Sequence, residues 1–274
     1  MKILITGGNG NIAKMIKNNL GNKYEVTNLG RNDLNVLDQF DIEKYLSTHS
    51  FDILVHAAIS GGRRTKDENG DVTHNNLLML ENLLKYADRF KMIINFDSAA
   101  IYDRDTDIFN RKENEIYTIP TDYYGFSKYL IYQRSLHFNN MYNFRIFNIF
   151  HKNEEHDRFI KMCFNAKKNN SSVTIFEDKY FDFMYEDDFI KIVQYYFENV
   201  NTPTKLIKTI NICYEKKYKL SEIAKLILKS DEKIIIKKSD PSIKNYTGDN
   251  TLLKTLDIDL SGLEDSVKKL ANLI

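Results

Sequence analysis

The first thirteen residues of the chain constrain its fold more than any other segment. The short apolar run Ile3–Ile5 leads into a glycine cluster, and an amphipathic segment that reaches Leu20 follows it. Strand, glycine turn and helix in this order form a cradle for a phosphate group, because glycines let the backbone approach closely and a helix N-terminus presents free N–H groups. The spacing Gly7-x-x-Gly10-x-x-Ala13 supports this interpretation, with a glycine turn that holds no ligand as the alternative.

Composition and charge place the chain among ordinary globular proteins. Its 274 residues are 42% hydrophobic and 28% charged, with a net charge of +1, so no basic surface argues for a nucleic-acid partner. No apolar run approaches the length of a membrane span and the first strand begins without a charged leader, so we expect a cytoplasmic protein that does not bind membranes. Cys163 and Cys213 lie far apart in apolar contexts, which predicts buried thiols in a reducing compartment.

The end of the second predicted strand, Tyr24–Leu29, indicates which cofactor the cradle would hold. Dinucleotide folds that select NAD place an acidic residue there to bind the adenosine ribose hydroxyls. This strand is followed by Gly30-Arg31-Asn32 instead, and an arginine at that point suits the 2′-phosphate of NADP. We therefore predict NADPH as the cofactor, with a solvated loop arginine as the alternative.

The third predicted strand, Phe51–Ala58, ends in the small residues Ala57 and Ala58. Small side chains there would let a dinucleotide lie across the strand ends, at the switch point of a doubly wound sheet. The loop Ile59–Arg64 follows, with two adjacent positive charges that could clamp a phosphate or a sugar. A plain exposed loop is the alternative for this segment.

Candidate catalytic residues follow the fourth predicted strand, Met92–Phe96. Ser98 comes shortly after that strand, and Tyr124 and Lys128 stand four residues apart, so on a helix their side chains share one face. An ammonium group beside a phenol lowers the pKa of the phenol from about 10, because it favours the phenolate. Such a pair is a better acid–base group near neutral pH, whereas a Tyr-x-x-x-Lys pattern by itself is more often structural.

The order of the predicted elements indicates an α/β fold: a Rossmann-type doubly wound parallel sheet with a smaller C-terminal α/β lobe. The strand Asn143–Phe150 closes the cofactor-binding half, and shorter helices and strands follow it. We place an NADP-binding domain at residues 1–150 and a substrate-binding lobe at residues 151–274, with some segments of the lobe returning to the main domain.

With these residues in place, the chain resembles the extended short-chain dehydrogenase/reductase family, the NAD-dependent epimerase/dehydratase family, over nearly its whole length. It is most similar to the GDP-L-fucose synthase-like nucleotide-sugar 4-ketoreductases. The likeness is carried by the glycine turn, Ser98, Tyr124, Lys128, Arg31–Asp38 and His56–Gly62, and more weakly by Phe181–Asp188 and Ile210–Ile212. The resemblance implies a homodimer that acts on a nucleotide sugar without a metal.

The resemblance also implies roles for individual residues. Tyr124 would protonate the substrate carbonyl oxygen as hydride arrives, Ser98 would hydrogen-bond the same oxygen, and Lys128 would hold the nicotinamide ribose and tune Tyr124. The cofactor would contact Gly7, Gly10, Asn11, Ile12, Arg31, Asn32, Ala57, Ala58, Tyr124, Lys128, Phe147 and Ile149. The substrate would contact Ser60, Gly61, Gly62, Arg63, Ala99, Asn148, His156 and Arg158.

Departures from the family pattern narrow the expected chemistry. Ala99 and Ala100 replace the Asp-Glu pair with which the family's 4,6-dehydratases move protons, so dehydration is disfavoured. Ala100 also stands where the fucose-synthase type has a cysteine, and Arg158 where it has a histidine. Alanine cannot abstract a proton beside a carbonyl, which favours plain reduction over epimerisation with reduction. Phe181 replaces an arginine that would help to hold the nucleotide, and His151-Lys152 replaces the usual Gly-Pro, so the identity of the nucleotide stays open.

The sequence therefore predicts an NADPH-dependent reductase of the 4-keto group of a nucleotide-linked 4-keto-6-deoxy sugar. Two alternatives remain. One is a nucleotide-sugar epimerase, either an epimerase/reductase or a 4-epimerase that keeps NAD bound; the other is a non-catalytic NADP-binding sensor. The missing acidic residue after the second strand counts against the 4-epimerase, and the intact Ser98, Tyr124 and Lys128 count against the sensor.

Overall fold

The computed structural model describes residues 1–62, 67–238 and 242–274. Its strands are β1 (Lys2–Thr6), β2 (Glu25–Leu29), β3 (Ile53–His56), β4 (Met92–Ser98), β5 (Ile108–Arg111), β6 (Met141–Ile146), β7 (Ile149–Phe150), β8 (Val173–Glu177), β9 (Met184–Tyr185), β10 (Thr209–Ile212), β11 (Ile234–Lys238) and β12 (Tyr246–Gly248). Its α-helices are α1 (Asn11–Leu20), α2 (Gln39–Thr48), α3 (Gly70–Leu84), α4 (Tyr123–Ser135), α5 (Phe159–Lys168), α6 (Glu186–Glu198), α7 (Leu220–Leu228), α8 (Thr251–Lys254) and α9 (Gly262–Ala271). Strands and helices alternate as far as β4, as expected of a doubly wound α/β fold.

The central sheet has six strands in the described part of the chain, in the order β10-β6-β4-β3-β1-β2. β1 pairs in parallel with both β2 and β3, and β3 pairs in parallel with β4. The chain passes from β1 outward to β2 and then returns to the other side of β1 as β3. The direction of winding therefore changes between β1 and β3, which is the switch point where doubly wound sheets bind ligands. The predicted Rossmann-type parallel sheet is confirmed.

The inner strands of this sheet are buried on both faces, which explains why they appear in the sequence as apolar runs. The segments Ile3–Ile5 of β1 and Ile53–Val55 of β3 are fully buried. On one face, Leu4 and Leu54 join a core cluster with apolar residues of α2, α3 and α4. Apolar burial at about 25 cal/mol per Å² is the main stabilising contribution of such a cluster. The cluster supports the strands whose carboxyl ends carry the candidate site.

The described residues divide into two compact units, neither of which is continuous in sequence. The first unit comprises Met1–Asp103, Ile116–Arg145 and Ile190–Ile210. The second unit comprises Arg104–Glu115, Ile146–Phe189 and Asn211–Ile274. Within the second unit the strands form parallel pairs, β8 with β11, β5 with β12 and β7 with β9. None of the helices in the described ranges is long and apolar enough to cross a membrane.

The prediction of one strand over Asn143–Phe150 is wrong. β6 ends at Ile146, and β7 pairs with β9 of the second unit, where the N–H of Met184 donates to the carbonyl of Asn148 at 2.8 Å. Apolar residues recur throughout both strands, and their pattern gives no signal of this change of partner. The prediction that both cysteines are buried free thiols is confirmed.

Candidate active site

The glycine turn after β1 lies at the switch point of the sheet. Gly7 has a φ of +67°, a conformation that L side chains rarely adopt, and a Cβ there would lie 2.6 Å from the backbone nitrogen of Ala58. The N–H of Gly10 donates to the carbonyl of Gly7 at 2.9 Å, and α1 begins at the next residue. The first turn of α1 contains no acidic residue, so the helix leaves the positive end of its dipole uncompensated. Of the predicted cofactor residues, Gly7 and Gly10 lie in this turn, Asn11 and Ile12 begin α1, and the backbone of Ala57 and Ala58, which follow β3, lies against Gly7.

The residues predicted to select NADP, Arg31 and Asn32, are exposed in the turn after β2. Gly30 begins this turn, and a Cβ on it would collide with the side-chain amide of Asn9, so the turn adjoins the glycine cradle. The N–H of Gly30 donates to Oδ2 of Asp33 at 2.9 Å. Asp33 therefore supplies an acidic side chain near this end of β2, three residues after Gly30.

The three predicted catalytic residues lie on two elements, Ser98 at the carboxyl end of β4 and Tyr124 and Lys128 on α4, and Lys128 contacts the end of β4. Ser98 is the last residue of β4 and is half-buried, and the N–H of Ala100 donates to its Oγ at 3.2 Å. Lys128 on α4 donates from Nζ to the carbonyl oxygen of Phe96 at 2.6 Å, two residues before Ser98. The same Nζ lies 5.6 Å from the centre of the Tyr124 ring. The four-residue spacing thus brings Tyr124 and Lys128 to one place, as predicted from the helical pattern.

Burial controls the charges at this end of the sheet. It lowers the pKa of Lys128 from 10.5 to about 8, against the effect of the Asp97 carboxylate, which raises it. Burial and the charge of Lys128 lower the pKa of His56 to about 3, so the imidazole is neutral at neutral pH. His56 ends β3, and its Nδ1 lies 3.0 Å from the Thr6 hydroxyl at the end of β1. An ammonium that titrates near pH 8 still carries charge at neutral pH and favours the phenolate form of a neighbouring phenol.

The predicted substrate loop is held by helix α3 and lies against Tyr124. Asn76 is fully buried and binds both backbone groups of Ser60: the Ser60 N–H donates to Oδ1 at 2.7 Å, and Nδ2 donates to the Ser60 carbonyl at 3.0 Å. Asn76 Nδ2 also donates to the Ser127 hydroxyl at 3.0 Å, which ties the loop to α4. A Cβ on Gly62 would lie 3.0 Å from the Tyr124 ring, so a side chain at this position would press on the ring.

Of three further predicted substrate residues, the structure describes Gly61 and Ala99. Gly61 is exposed with a φ of +75°, and Ala99 is fully buried. Arg63 lies outside the described residues. Asn76 was not predicted to take part in the site. Its signal in the sequence is an amide side chain among the apolar positions of a helix, where it needs polar partners.

The remaining predicted residues belong to the second unit: Phe147, Asn148, Ile149, His156 and Arg158. Arg158 donates from Nη2 to Oδ1 of Asn148 at 2.8 Å, so these two predicted substrate residues lie together. The His156 ring instead contacts the Asn165 amide, with Nδ1 and Nδ2 3.2 Å apart. The structure therefore pairs two of the three polar residues that were predicted here to meet the substrate.

Glu154, which was not predicted from the sequence, is a buried carboxyl group beside this pair. Its side chain is 3% exposed, and Oε1 lies 3.7 Å from Nε of Arg158. Neither oxygen has a hydrogen-bond partner among the described residues. Burial raises the pKa of Glu154 to about 8, against the effect of the Arg158 charge. The carboxyl is therefore largely protonated at neutral pH. The sequence does not indicate this, because Glu154 stands among charged residues of both signs.

The parallel sheet, the glycine turn at its switch point and the Ser98, Tyr124 and Lys128 arrangement define a protein of the extended short-chain dehydrogenase/reductase class. The family model described as the NAD dependent epimerase/dehydratase family matches residues 3–213. The chain therefore belongs to this family of enzymes, and the resemblance stated from the sequence is confirmed.

Individual relatives agree with this assignment. The chain is 27% identical over 285 residues to GDP-L-colitose synthase of Yersinia pseudotuberculosis, a match that covers 92% of this chain and 91% of that protein. The structure is similar to the GDP-mannoheptose C4 reductase of Campylobacter jejuni with NADP bound, with a TM-score of 0.78, 16% identity and coverage of 99% and 97% of the two chains. It is also similar to WbmG of Bordetella bronchiseptica in complex with NAD, with a TM-score of 0.81, 16% identity and coverage of 99% and 93%. The two structural likenesses concern the fold.

Proposed function

We propose that the protein reduces the 4-keto group of a nucleotide-linked 4-keto-6-deoxy sugar with NADPH. The observation that carries the proposal is the position of Ser98, Tyr124 and Lys128 at the carboxyl end of β4, where Lys128 binds the carbonyl of Phe96. The match to GDP-L-colitose synthase supports a nucleotide-linked sugar as the substrate class.

The backbone at the switch point fits a dinucleotide. A side chain on Gly7 would fill the space against Ala57 and Ala58, and the positive end of α1 suits a phosphate. Arg31 and Asn32, exposed beside the cradle, would hold the 2′-phosphate of NADP. Lys128 would bind the nicotinamide ribose, and Phe147 and Ile149 would complete the cofactor contacts. When bound, NADPH supplies the hydride.

The chain's own residues supply the proton and the polarisation of the carbonyl group. Tyr124 donates its hydroxyl proton to the carbonyl oxygen of the substrate as that oxygen gains negative charge. Ser98 donates a hydrogen bond to the same oxygen, which stabilises the charge as it develops. The ammonium group of Lys128 favours the phenolate that remains on Tyr124, so proton transfer costs less than from an isolated phenol.

The substrate contacts are proposed on chemical grounds. The backbone of Ser60, Gly61 and Gly62, fixed by Asn76, and the neighbouring Arg63 would bind the sugar and its phosphates. Ala99 would limit the space beside the sugar. In the second unit Arg158, oriented by Asn148, offers a cation for a diphosphate, and His156 offers a hydrogen-bonding ring. We further propose a cytoplasmic homodimer that associates through α3 and α4, by resemblance to the family.

One observation favours a second candidate function. Asp33 places a carboxylate at the end of β2, where an acidic residue would bind the ribose hydroxyls of NAD. A nucleotide-sugar 4-epimerase keeps NAD bound and returns the hydride to its substrate, so it would use such a residue. Copurification of NAD with the protein would favour this candidate over the reductase.

The test is NADPH oxidation with freshly generated 4-keto-6-deoxy sugars on GDP, UDP, dTDP and CDP, with product structure read by NMR in D₂O. Oxidation with one of them, and deuterium only at the exchangeable hydroxyl, is expected for plain 4-keto reduction. Stable deuterium at C3 or C5 would instead show that the protein also epimerises the sugar. No oxidation with any of the four would overturn the proposal.

A further inference from the structure

A buried ion pair lies directly beneath the candidate catalytic residues. Nε of Arg145, on β6, binds Oδ2 of Asp97, on the neighbouring strand β4, at 2.7 Å, and both side chains are fully buried. Arg145 Nη1 donates to the Tyr102 hydroxyl at 2.7 Å. The guanidinium also lies 4.7 Å from the centre of the Tyr102 ring and 5.0 Å from that of Tyr132. It therefore contacts β4, the turn that follows Ser98, and helix α4.

Asp97 connects this pair to the catalytic residues. Its second oxygen, Oδ1, accepts from the N–H of Ser98 at 2.8 Å. The residue before it, Phe96, accepts the hydrogen bond from the Lys128 ammonium. Asp97 thus lies between the carbonyl that holds Lys128 and the serine that would polarise the substrate. Its charge also acts on Lys128, since the carboxylate raises the pKa of that lysine against the effect of burial.

Stability alone is a weak reason to keep such a pair. Removing two charges from water is costly, and replacing a buried ion pair by apolar side chains of similar volume is often neutral or stabilising. Apart from the hydrogen-bonded amides Asn95 and Asn143, the buried side chains of β4 and β6 beside Asp97 and Arg145 are apolar, for example Ile93, Ile94 and Phe144, all fully buried. An apolar pair at these two positions would therefore suit the core, and the charges call for another role.

Resting on the proposed function, we propose that Asp97 and Arg145 are positioning residues for catalysis. Arg145 fixes the Asp97 carboxylate, which in turn fixes the backbone of Ser98 and serves as the counter-charge that keeps Lys128 protonated at working pH. Neither residue touches the substrate. The pair is therefore required for the protonation state of Lys128 and the placement of Ser98, and not for folding.

The groups around Lys128 allow its pKa to report the charge of Asp97. Asp97 approaches from β4, Tyr124 from α4 and His56 from β3, and Arg145 stands behind Asp97 on β6. His56 is neutral above about pH 3, so it does not change charge in the range where Lys128 titrates. Without the Asp97 charge, nothing on β4 would offset the effect of burial, so the pKa of Lys128 would fall.

The test uses the double variant Asp97→Asn/Arg145→Met, which removes both charges while leaving an acceptor for the Ser98 N–H and an apolar chain against the two tyrosines. Asp97→Asn alone leaves the buried charge of Arg145 without its partner and can fail to fold, so the double variant is used for the test. Asp52→Asn is the matched control, because Asp52 pairs with a lysine, Lys91, near the opposite ends of β3 and β4. The pKa of Lys128 is read from its ¹³Cε shift in lysine-labelled protein, with the resonance assigned by Lys128→Arg.

The double variant is expected to stay folded and to lower the pKa of Lys128 by at least about one unit. The high-pH limb of kcat then moves by the same amount, which corresponds to an about fivefold loss of kcat at pH 8. Asp52→Asn is expected to leave both quantities unchanged. A folded double variant with the wild-type Lys128 pKa and pH profile overturns the inference. If the wild type oxidises no NADPH with any sugar, the proposed function has failed, and the lysine titration still decides whether Asp97 is the counter-charge.

Discussion

Substitution of Gly7 by alanine tests the glycine cradle most directly. The residue has a φ of +67°, which costs an L side chain about 1–2 kcal/mol. The added Cβ would also lie 2.6 Å from the nitrogen of Ala58 and 2.7 Å from the carbonyl carbon and oxygen of Ala57. Backbone atoms cannot rotate away as a side chain does, so the strand ends must separate, at about 1–3 kcal/mol for overpacking.

Two other glycines separate these contributions. Gly262 has a similar φ of +77°, but a Cβ there meets nothing within 4 Å, so Gly262→Ala measures the backbone strain without the clash. Gly70, at the start of α3, has open space and no positive φ, so Gly70→Ala is expected to be neutral or to stabilise by about 0.5–1 kcal/mol. After allowing for the reduced entropy of the unfolded chain, Gly7→Ala is expected to lose about 2–4 kcal/mol and Gly262→Ala about 1 kcal/mol.

Urea unfolding followed by circular dichroism measures the three stabilities, and fluorescence titration measures NADPH binding. Gly7→Ala is expected to raise the Kd for NADPH at least about tenfold, since a 1.4 kcal/mol change in binding is a factor of ten. Gly262→Ala is expected to leave the Kd unchanged. If Gly7→Ala and Gly262→Ala lose equal stability and bind NADPH equally well, the close approach of β1 and β3 does not form the cofactor cradle.

Three further substitutions test other parts of the site. Tyr124→Phe removes the proposed proton donor, so kcat is expected to fall by at least about a hundredfold while the Kd for NADPH stays near that of the wild type; undiminished kcat would refute the mechanism. Arg31→Ala is expected to weaken the binding of NADPH by about 1.5–3 kcal/mol and to leave the Kd for NADH unchanged, because only NADPH carries the 2′-phosphate; equal changes for the two cofactors would refute the assignment of Arg31. The pKa of His56 is lowered to about 3 in the folded chain, below the 6.5 of an ordinary histidine, so the unfolded chain binds the extra proton between these values. Its contribution lowers the free energy of unfolding by about 1.4 kcal/mol per unit as the pH falls below 6.5, and His56→Asn is expected to flatten this slope in urea unfolding at pH 7, 6 and 5.

Local patterns in the sequence were sufficient for the scaffold and for the proposed catalytic residues. The strand, glycine turn and helix of residues 1–20 form as predicted, since each depends on neighbours within a few positions. The Tyr124–Lys128 pair likewise depends only on the pitch of one helix. The division of β6 and β7 was not predictable in this way, because the partner of β7 is β9, more than thirty residues further on.

The surroundings of the site depend on pairs that are distant in sequence. Asn76 binds Ser60 and Ser127, which lie 16 and 51 positions away, and no periodic pattern connects an amide to a loop backbone. Arg145 and Asp97 are 48 positions apart and stand in two strands that otherwise contain apolar and amide side chains. A single buried charge in a strand indicates that a partner exists, but it does not identify the partner.

The acid–base strength of the site follows from these distant pairs more than from the motif. From the sequence alone, Lys128 is expected to be an ordinary ammonium group that lowers the pKa of a neighbouring phenol. In the structure, burial lowers the pKa of Lys128 itself to about 8, so the margin between this pKa and neutral pH is small. That margin depends on the Asp97 carboxylate, and the orientation of Asp97 depends on Arg145. A chain with the same Ser98, Tyr124 and Lys128 but an apolar pair in place of Asp97 and Arg145 would keep the motif and lose much of its charged lysine near pH 8.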